Sequence, residues 1–470
     1  MVRQSPAHRI PSAGLLAVAM ALCTACDPSD VPVLDPLSDD PPPADSVATV
    51  RLPCEAAGEE GLVVRIYPPL EGSVRHADGP PVVLRIPGGI DPGVLPPVEW
   101  INTVGQFGMI VVAFTFPGGR AFGEEFSGGI YDYRGEDSVL AAQDVLRYAG
   151  GELADSEGLL LTDRFPEAWV DNLGIFGSSH GGNMALQTLA RGGAELPPVR
   201  WFVAYETPLG DQFVTAELNG FPHYQPGTCT LVGCPVEDYR LLLRFDPELT
   251  TVANDWSDEP DFYAGQFYLD LDHNAAADLP EESMPVPHSG TDADGVLRLH
   301  YSTELTNLIF SEGVSVFGEA AAPPWLATPS ESDAYWAVRD GSAVLADVHE
   351  LVPDLMVVHS NAVDDHGSAL EDYPHTRAHV HGWRETGHEF VRLNADASYL
   401  AMVTGMDEAE FPDNPVGAAV QWPDTAELMV PDVSGEASIQ TTLFFAASLE
   451  LADRQALGDR SEDLDGVLLP

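Results

Sequence analysis

Residues 173–186 read LGIFGSSHGGNMAL, an apolar run passing through Gly177-Ser178-Ser179-His180-Gly181 into a stretch of helical character. A serine between two glycines at this spacing suits nucleophilic acyl transfer. The strand turns sharply into the helix, the glycines remove the Cβ atoms that would crowd the corner, and the hydroxyl of Ser179 is held clear of the sheet edge. The helix N-terminus behind it favours developing negative charge. The pentapeptide alone also fits a glycine turn with incidental serines; the flanking strand and helix are what point to a nucleophile. Upstream, Ile86-Pro87-Gly88-Gly89-Ile90 closes another apolar run. Backbone amides at Gly89 and at His180 are the expected oxyanion donors.

Those residues need an open sheet to hold them. Apolar, β-rich runs occur at residues 47–52, 62–67, 82–86, 108–116, 173–177, 201–205, 355–359 and 389–393. Helical spacing falls at 139–149, 181–191, 373–384 and 438–454, and the nearly continuous apolar character of 108–116 suits a strand buried on both faces. The alternation predicts an α/β fold, a doubly wound and mostly parallel sheet with right-handed crossovers. It lapses after the strand at 201–205, where the chain becomes irregular, acidic and aromatic, so an inserted cap subdomain is expected there. The division is 1–26 export signal, 27–46 Asp/Pro-rich linker, 47–212 first core part, 213–346 inserted cap, and 347–470 second core part.

PGG at 87–89, GGIYDYRGEDSVLAAQDVLRYA at 128–149 and GSSHGG at 177–182 resemble the dienelactone hydrolase and prolyl-oligopeptidase branch of the α/β-hydrolase superfamily. With residues 355–395 the likeness covers about a third of the chain. It implies a serine hydrolase whose acid follows the penultimate strand and whose histidine follows the last. The acid falls on Asp364, with Asp365 beside it. For the base the resemblance points to His388, the last histidine of the chain. This holds only if the last strand lies near residues 378–383. If the strand is 388–393, His388 sits at the wrong end of the sheet, and the loop after it offers Asn394, Ala395 and Asp396. His366, His359, a histidine of the insertion, or no base at all then remain open. A serine without a base is a weak nucleophile, so two functions stand side by side. One is an exported hydrolase of an ester, or alternatively of an amide or peptide, acting on a small-molecule or peptide substrate. The other is a catalytically silent envelope lipoprotein that binds a ligand or partner.

Composition narrows the classes. The 470 residues carry 74 Asp and Glu against 21 basic residues, a net charge of −53, and every basic residue is arginine. Such a surface repels phosphate backbones and anionic headgroups, which excludes nucleic acid as a partner. The absence of lysine excludes Schiff-base and P-loop chemistry. Hydrophobic residues at 44% suit a large packed core. Arg3 and Arg9 precede the apolar run 13–25, too short to span a bilayer, which ends in Leu22-Cys23-Thr24-Ala25-Cys26. That resembles a lipoprotein box with Cys26 as the acylated residue, although Cys23 stands where leucine is usual; a plain cleaved signal peptide, and a secreted protein, is the alternative. Membrane contact is expected only through such an anchor. Cys229 and Cys234 are close enough in sequence for a disulfide in an oxidising compartment.

No cofactor is required for acyl transfer. A structural calcium ion is a separate expectation, because Asp270, Asp272, Asn274, Asp278 and Glu281 fall at positions one, three, five, nine and twelve of an EF-hand-type loop. Ala275 stands where that loop normally needs glycine, and in so acidic a chain the spacing also arises by chance.

Overall fold

The computed structural model describes residues 46–89, 91–119, 125–217, 236, 239–252, 262–279, 281–285, 287–291, 295–317, 321–362, 373–412 and 439–460. The strands in chain order are β1 (Ala48–Cys54), β2 (Gly58–Tyr67), β3 (Pro81–Ile86), β4 (Ile110–Phe114), β5 (Trp169–Ser178), β6 (Val199–Tyr205), β7 (Leu243–Val252), β8 (Phe262–Leu269), β9 (His288–Thr291), β10 (Leu297–His300), β11 (Met356–Ser360) and β12 (Val391–Leu393). Eight of them form one sheet in the order β1-β2-β4-β3-β5-β6-β11-β12. The β1-β2 and β2-β4 pairs are antiparallel and every other neighbour is parallel. The strand order reverses between β3 and β5, the switch point at which an open α/β sheet leaves a crevice above its C-terminal edge. This is the α/β-hydrolase fold that the sequence leads one to expect.

Period-two alternation explains the two cores. Along β2, Val64 and Ile66 enter one cluster with Val82, Leu84 and Val112, while Val63 and Tyr67 enter the other with Val83 and Val111. The first cluster lies under the helices Glu136–Ala149 and His180–Gly192, through Val139, Ala142, Leu146, Met184 and Leu186. The second is covered by the helix Ile439–Leu457. Phe445 of that helix stacks on Phe107 at 3.7 Å, and Phe444 lies 4.1 Å from Phe176 between ring centres. The same helix is tied down by charge. The buried Glu450 carboxylate accepts from Arg392 at 2.7 Å, Arg454 at 2.8 Å and the Asp396 amide at 2.6 Å. Asp453 takes the Tyr399 hydroxyl and Arg75.

Between β6 and β11 the chain builds two antiparallel hairpins, β7-β8 and β9-β10, with the helices Thr303–Ser311 and Pro329–Trp336. Their apolar residues, among them Leu243, Phe267, Leu299, Leu305 and Trp325, form a cluster separate from the two sheet cores. Among the described residues no helix is long and apolar enough to cross a membrane.

Candidate active site

Ser179 follows β5 directly and caps the helix His180–Gly192 with φ 47° and ψ −125°. A non-glycine residue in that region carries strain, held here by neighbours on every side. The Ser179 amide donates to Tyr205 O at 2.6 Å, and Gly182 N donates back to Ser179 O at 2.9 Å. The glycines are required by close approach. A Cβ on Gly177 would lie 2.6 Å from Gly182 Cα, one on Gly181 2.5 Å from Ile86 O, and one on Gly182 would run into the Thr207 side chain.

The loop after β3 stands against Ser179. A Cβ on Gly88 would come within 3.2 Å of Ser179 Cβ and 2.8 Å of Ser178 O. Gly89 has φ 70°, open to glycine at no steric cost. His180 is 2% exposed, and its ring orientation can be read from its neighbours. Asn183 Nδ2 donates to Pro208 O at 3.1 Å while Asn183 Oδ1 accepts from Gly341 N, so the amide nitrogen also faces His180 Nδ1, at 3.3 Å, as a donor. Nδ1 is therefore the acceptor and the proton sits on Nε2. Burial first, then the charge of Arg134 and its neighbours His288 and Arg339, holds this imidazole well below its usual pKa, so it is neutral.

The expected base is not at this edge. Residues 374–385 are a helix and the last strand among the described residues is Val391–Leu393, which puts His388 before β12 rather than after it. Its Nε2 lies 2.5 Å from the carbonyl of Leu355, the residue preceding β11, and its Nδ1 lies 3.0 Å from His349 Nδ1. All of this is at the N-terminal edge, roughly 16 Å from Ser179's edge across a five-residue strand. Assigning His388 as base is thus corrected: helix formation from Pro374 onward uses up the residues that would have been an earlier strand. His359 is buried in β11 with its ring 4.3 Å from that of His379. Among the described residues no hydrogen bond reaches the Ser179 hydroxyl. Asp364, Asp365 and His366 lie outside the described residues, as do Cys26, Cys229 and Cys234.

Two features escaped sequence reading. Glu206 follows β6 as Ser179 follows β5, in register through the Ser178–Tyr205 pair, and it too has φ 47° at 2% exposure. Its amide donates to Ser360 O at 2.9 Å, so a buried carboxylate-bearing residue stands at the same edge. Strain at consecutive strand ends was the only available signal, and it is conformational rather than compositional. The second feature is a pair of buried arginines, Arg134 and Arg339, behind the Gly88 loop.

In the acidic loop, oxygens of Asp270, Asp272 and Glu282 lie within 4.8 Å of one another. Glu282 turns inward and accepts from Leu271 N and Asp278 N, while Glu281, the residue expected at position twelve, is exposed. Asp270 Oδ1 accepts from Ala275 N and its other oxygen is 3.5 Å from Arg244. Asn274 Nδ2 donates to Asp272 and Asp278. Ala275 adopts φ 61°, the conformation for which such a loop normally uses glycine. Elsewhere, Cys54 is buried and unpaired by disulfide, and burial, then Asp144, pushes its thiol up to about 12, which makes it inert.

No family model and no curated protein matches the sequence. Among solved structures the chain is similar to a bacterial heroin esterase, at 13% identity and TM-score 0.40 over 95% of this chain and 92% of that one. It is also similar to carboxyl esterase 2 of the fungus Tuber melanosporum, at 12% identity and TM-score 0.36 over 79% and 84%. Esterase LipW of Mycobacterium marinum, at 20% identity and TM-score 0.23, is matched over 35% of this chain and only 45% of its own length. The order of the eight-stranded sheet and the glycine-bound corner at Ser179 make this chain an α/β-hydrolase by fold.

Proposed function

We propose that the protein is a serine hydrolase that cleaves an ester, or less readily an amide, by acyl transfer through Ser179. The observation that carries this reading is the strained φ of 47° at Ser179, with Gly88 packed against it and a helix starting at the next residue. Ser179 Oγ would attack the ester carbonyl, forming an Oγ–C bond as the hydroxyl proton passes to a base. The resulting oxyanion would be bound by the Gly89 and His180 amides. Collapse expels the alcohol with that proton, and water then releases the acid. The acid is assigned to Asp364 or Asp365, in the segment directly after β11, with Glu206 a second carboxylate at the same edge. The base falls to His366 of that segment. The likeness to the dienelactone hydrolase and prolyl-oligopeptidase branch rests on residues 87–89, 128–149, 177–182 and 355–395 of the sequence. Export and lipidation at Cys26 rest on the leader sequence.

A second reading is favoured by one observation: the described residues bring no imidazole to the Ser179 hydroxyl. On that reading the chain keeps the fold and binds a ligand without turnover. A fluorophosphonate separates them, since Ser179 Oγ would displace fluoride and keep the phosphonyl group. A single adduct mapped to Ser179, lost in Ser179→Ala, supports the hydrolase; absence of any adduct over hours supports the binding protein.

A further inference from the structure

We infer that Arg134 is a positioning residue for the oxyanion loop, and that Arg339, at the end of the insertion, holds Arg134 in place and so couples the inserted segment to the reaction. The inference rests on reading the Gly89 amide as an oxyanion donor.

Arg134 is completely buried, yet its hydrogen bonds go to a carbonyl and a phenol instead of a carboxylate. Nη2 donates to Gly88 O at 2.9 Å. Nε donates to the Tyr131 hydroxyl at 3.1 Å, which passes its own proton to Asp91 O at 2.8 Å. The guanidinium thus grips both ends of the four-residue loop 88–91 while lying 4.0 Å over the Phe116 ring. Among the described residues no carboxylate pairs with it, and burying a charge without a counter-charge is costly, which calls for a geometric reason. The geometry supplies one. In a trans peptide the C=O and the following N–H point in opposite directions. Fixing Gly88 O toward Arg134 therefore fixes the Gly89 N–H away from it, on a loop whose Gly88 already abuts Ser179.

Arg134 is itself held in a strained state. Tyr133 and Arg134 have φ 55° and 65°, in the left-handed region that favours glycine. Two groups hold them: the Asp132 carboxylate, which accepts from Gly135 N at 3.0 Å and the Ser138 hydroxyl at 2.6 Å, and Arg339, whose Nε donates to Tyr133 O at 2.6 Å and whose Nη2 donates to Asp132 O at 2.7 Å. Arg339 is anchored in turn on the insertion, by Nη1 on Tyr335 O at 2.7 Å and by its guanidinium 3.7 Å over the Tyr335 ring. Tyr335 also donates its hydroxyl to Ser289 O of β9 and stacks on His300 of β10 at 3.9 Å. A continuous set of contacts runs from the β9-β10 hairpin through Tyr335, Arg339 and Arg134 to Gly88.

The test is kinetic. Arg134→Met, Arg134→Lys and Arg339→Gln are compared with the full wild-type chain for fluorophosphonate labelling rate and for kcat and KM on p-nitrophenyl acetate, with rates counted per labelled site. The expectation is a fall in kcat and in labelling rate of about 10–100-fold for Arg134→Met, below the full loss of one oxyanion donor. Arg339→Gln should show about 5–10-fold, with KM within threefold in both and partial recovery in Arg134→Lys. Should Arg134→Met not fold, Arg339→Gln, outside the 88–91 loop, decides the matter. Variants that melt earlier but label at the wild-type rate overturn the coupling and leave the serine hydrolase standing. A wild-type protein that never labels takes down both.

Discussion

Replacing Gly88 by alanine tests the site where the loop after β3 meets Ser179. The added Cβ would sit 2.8 Å from Ser178 O and 3.2 Å from Ser179 Cβ. An ordinary carbon–oxygen contact is about 3.3 Å, so the loop must retreat by about 0.5 Å. Neither obstacle is the free end of a long side chain, and the strand end behind them is fixed by the Ser179 amide bond to Tyr205 O. The oxyanion loop therefore yields, and it also strains against Arg134. Overpacking of this kind costs about 1–3 kcal/mol of stability. Misplacing a catalytic group by 1 Å costs about 100-fold, so half that displacement should lower kcat by about 10-fold or somewhat more. Gly72→Ala is the control: its φ of 83° is penalised in the same way, its Cβ meets nothing within 4 Å, and it lies outside the loop after β3. Rates of fluorophosphonate labelling and p-nitrophenyl ester turnover, with thermal melting alongside, read both effects. A Gly88→Ala protein that labels at the wild-type rate would refute the reasoning, because the loop would then not be part of the reacting geometry.

Ser179→Gly should be more stable than Ser179→Ala by about 1 kcal/mol, since glycine accepts φ 47° and alanine does not; chemical denaturation of the two variants checks it. His388→Gln should change the labelling rate by less than about threefold, and a loss of several orders of magnitude would reinstate it as base. Asp340, at the end of the insertion, has its carboxyl raised to about 6, by burial first and offset in part by Ser342, with the charge of Asp211 adding to the rise. A raised folded-state pKa means that its contribution to stability is present below about pH 4 and lost as pH climbs through 6. Asp340→Asn should therefore stabilise the protein at pH 8 by roughly 1–3 kcal/mol and leave it unchanged at pH 4, as measured by urea titration at both.

The sheet was legible because its strands are short β-rich runs bounded by turns, and the runs at 82–86, 173–177 and 201–205 became β3, β5 and β6 with one- to four-residue extensions. The tight corner at Ser179 was legible for a steric reason, since only glycine tolerates the approaches at positions 177, 181 and 182. The base was not. Helical spacing at 373–384 and the strand-like run at 389–393 set His388 ahead of that run; only an earlier strand near 378–383 would have carried it to the other rim, and the helix Pro374–Glu385 occupies those residues. Arg134 and Arg339 were invisible because their partners are backbone carbonyls, and Arg339 meets Tyr133 O 206 residues away. Likewise, counting along the acidic loop could not tell which of two adjacent glutamates turns inward.

The grip of Glu450 on Arg392, Arg454 and the Asp396 amide reaches beyond the folded state of the intact chain. Because those ion pairs and the Phe444 and Phe445 contacts seat the helix Ile439–Leu457 on the sheet, an engineered cut placed before Ile439 would sever the polypeptide without releasing that helix. The pieces should copurify under native conditions and separate only in denaturant. A clipped preparation would thus pass for whole protein on gel filtration.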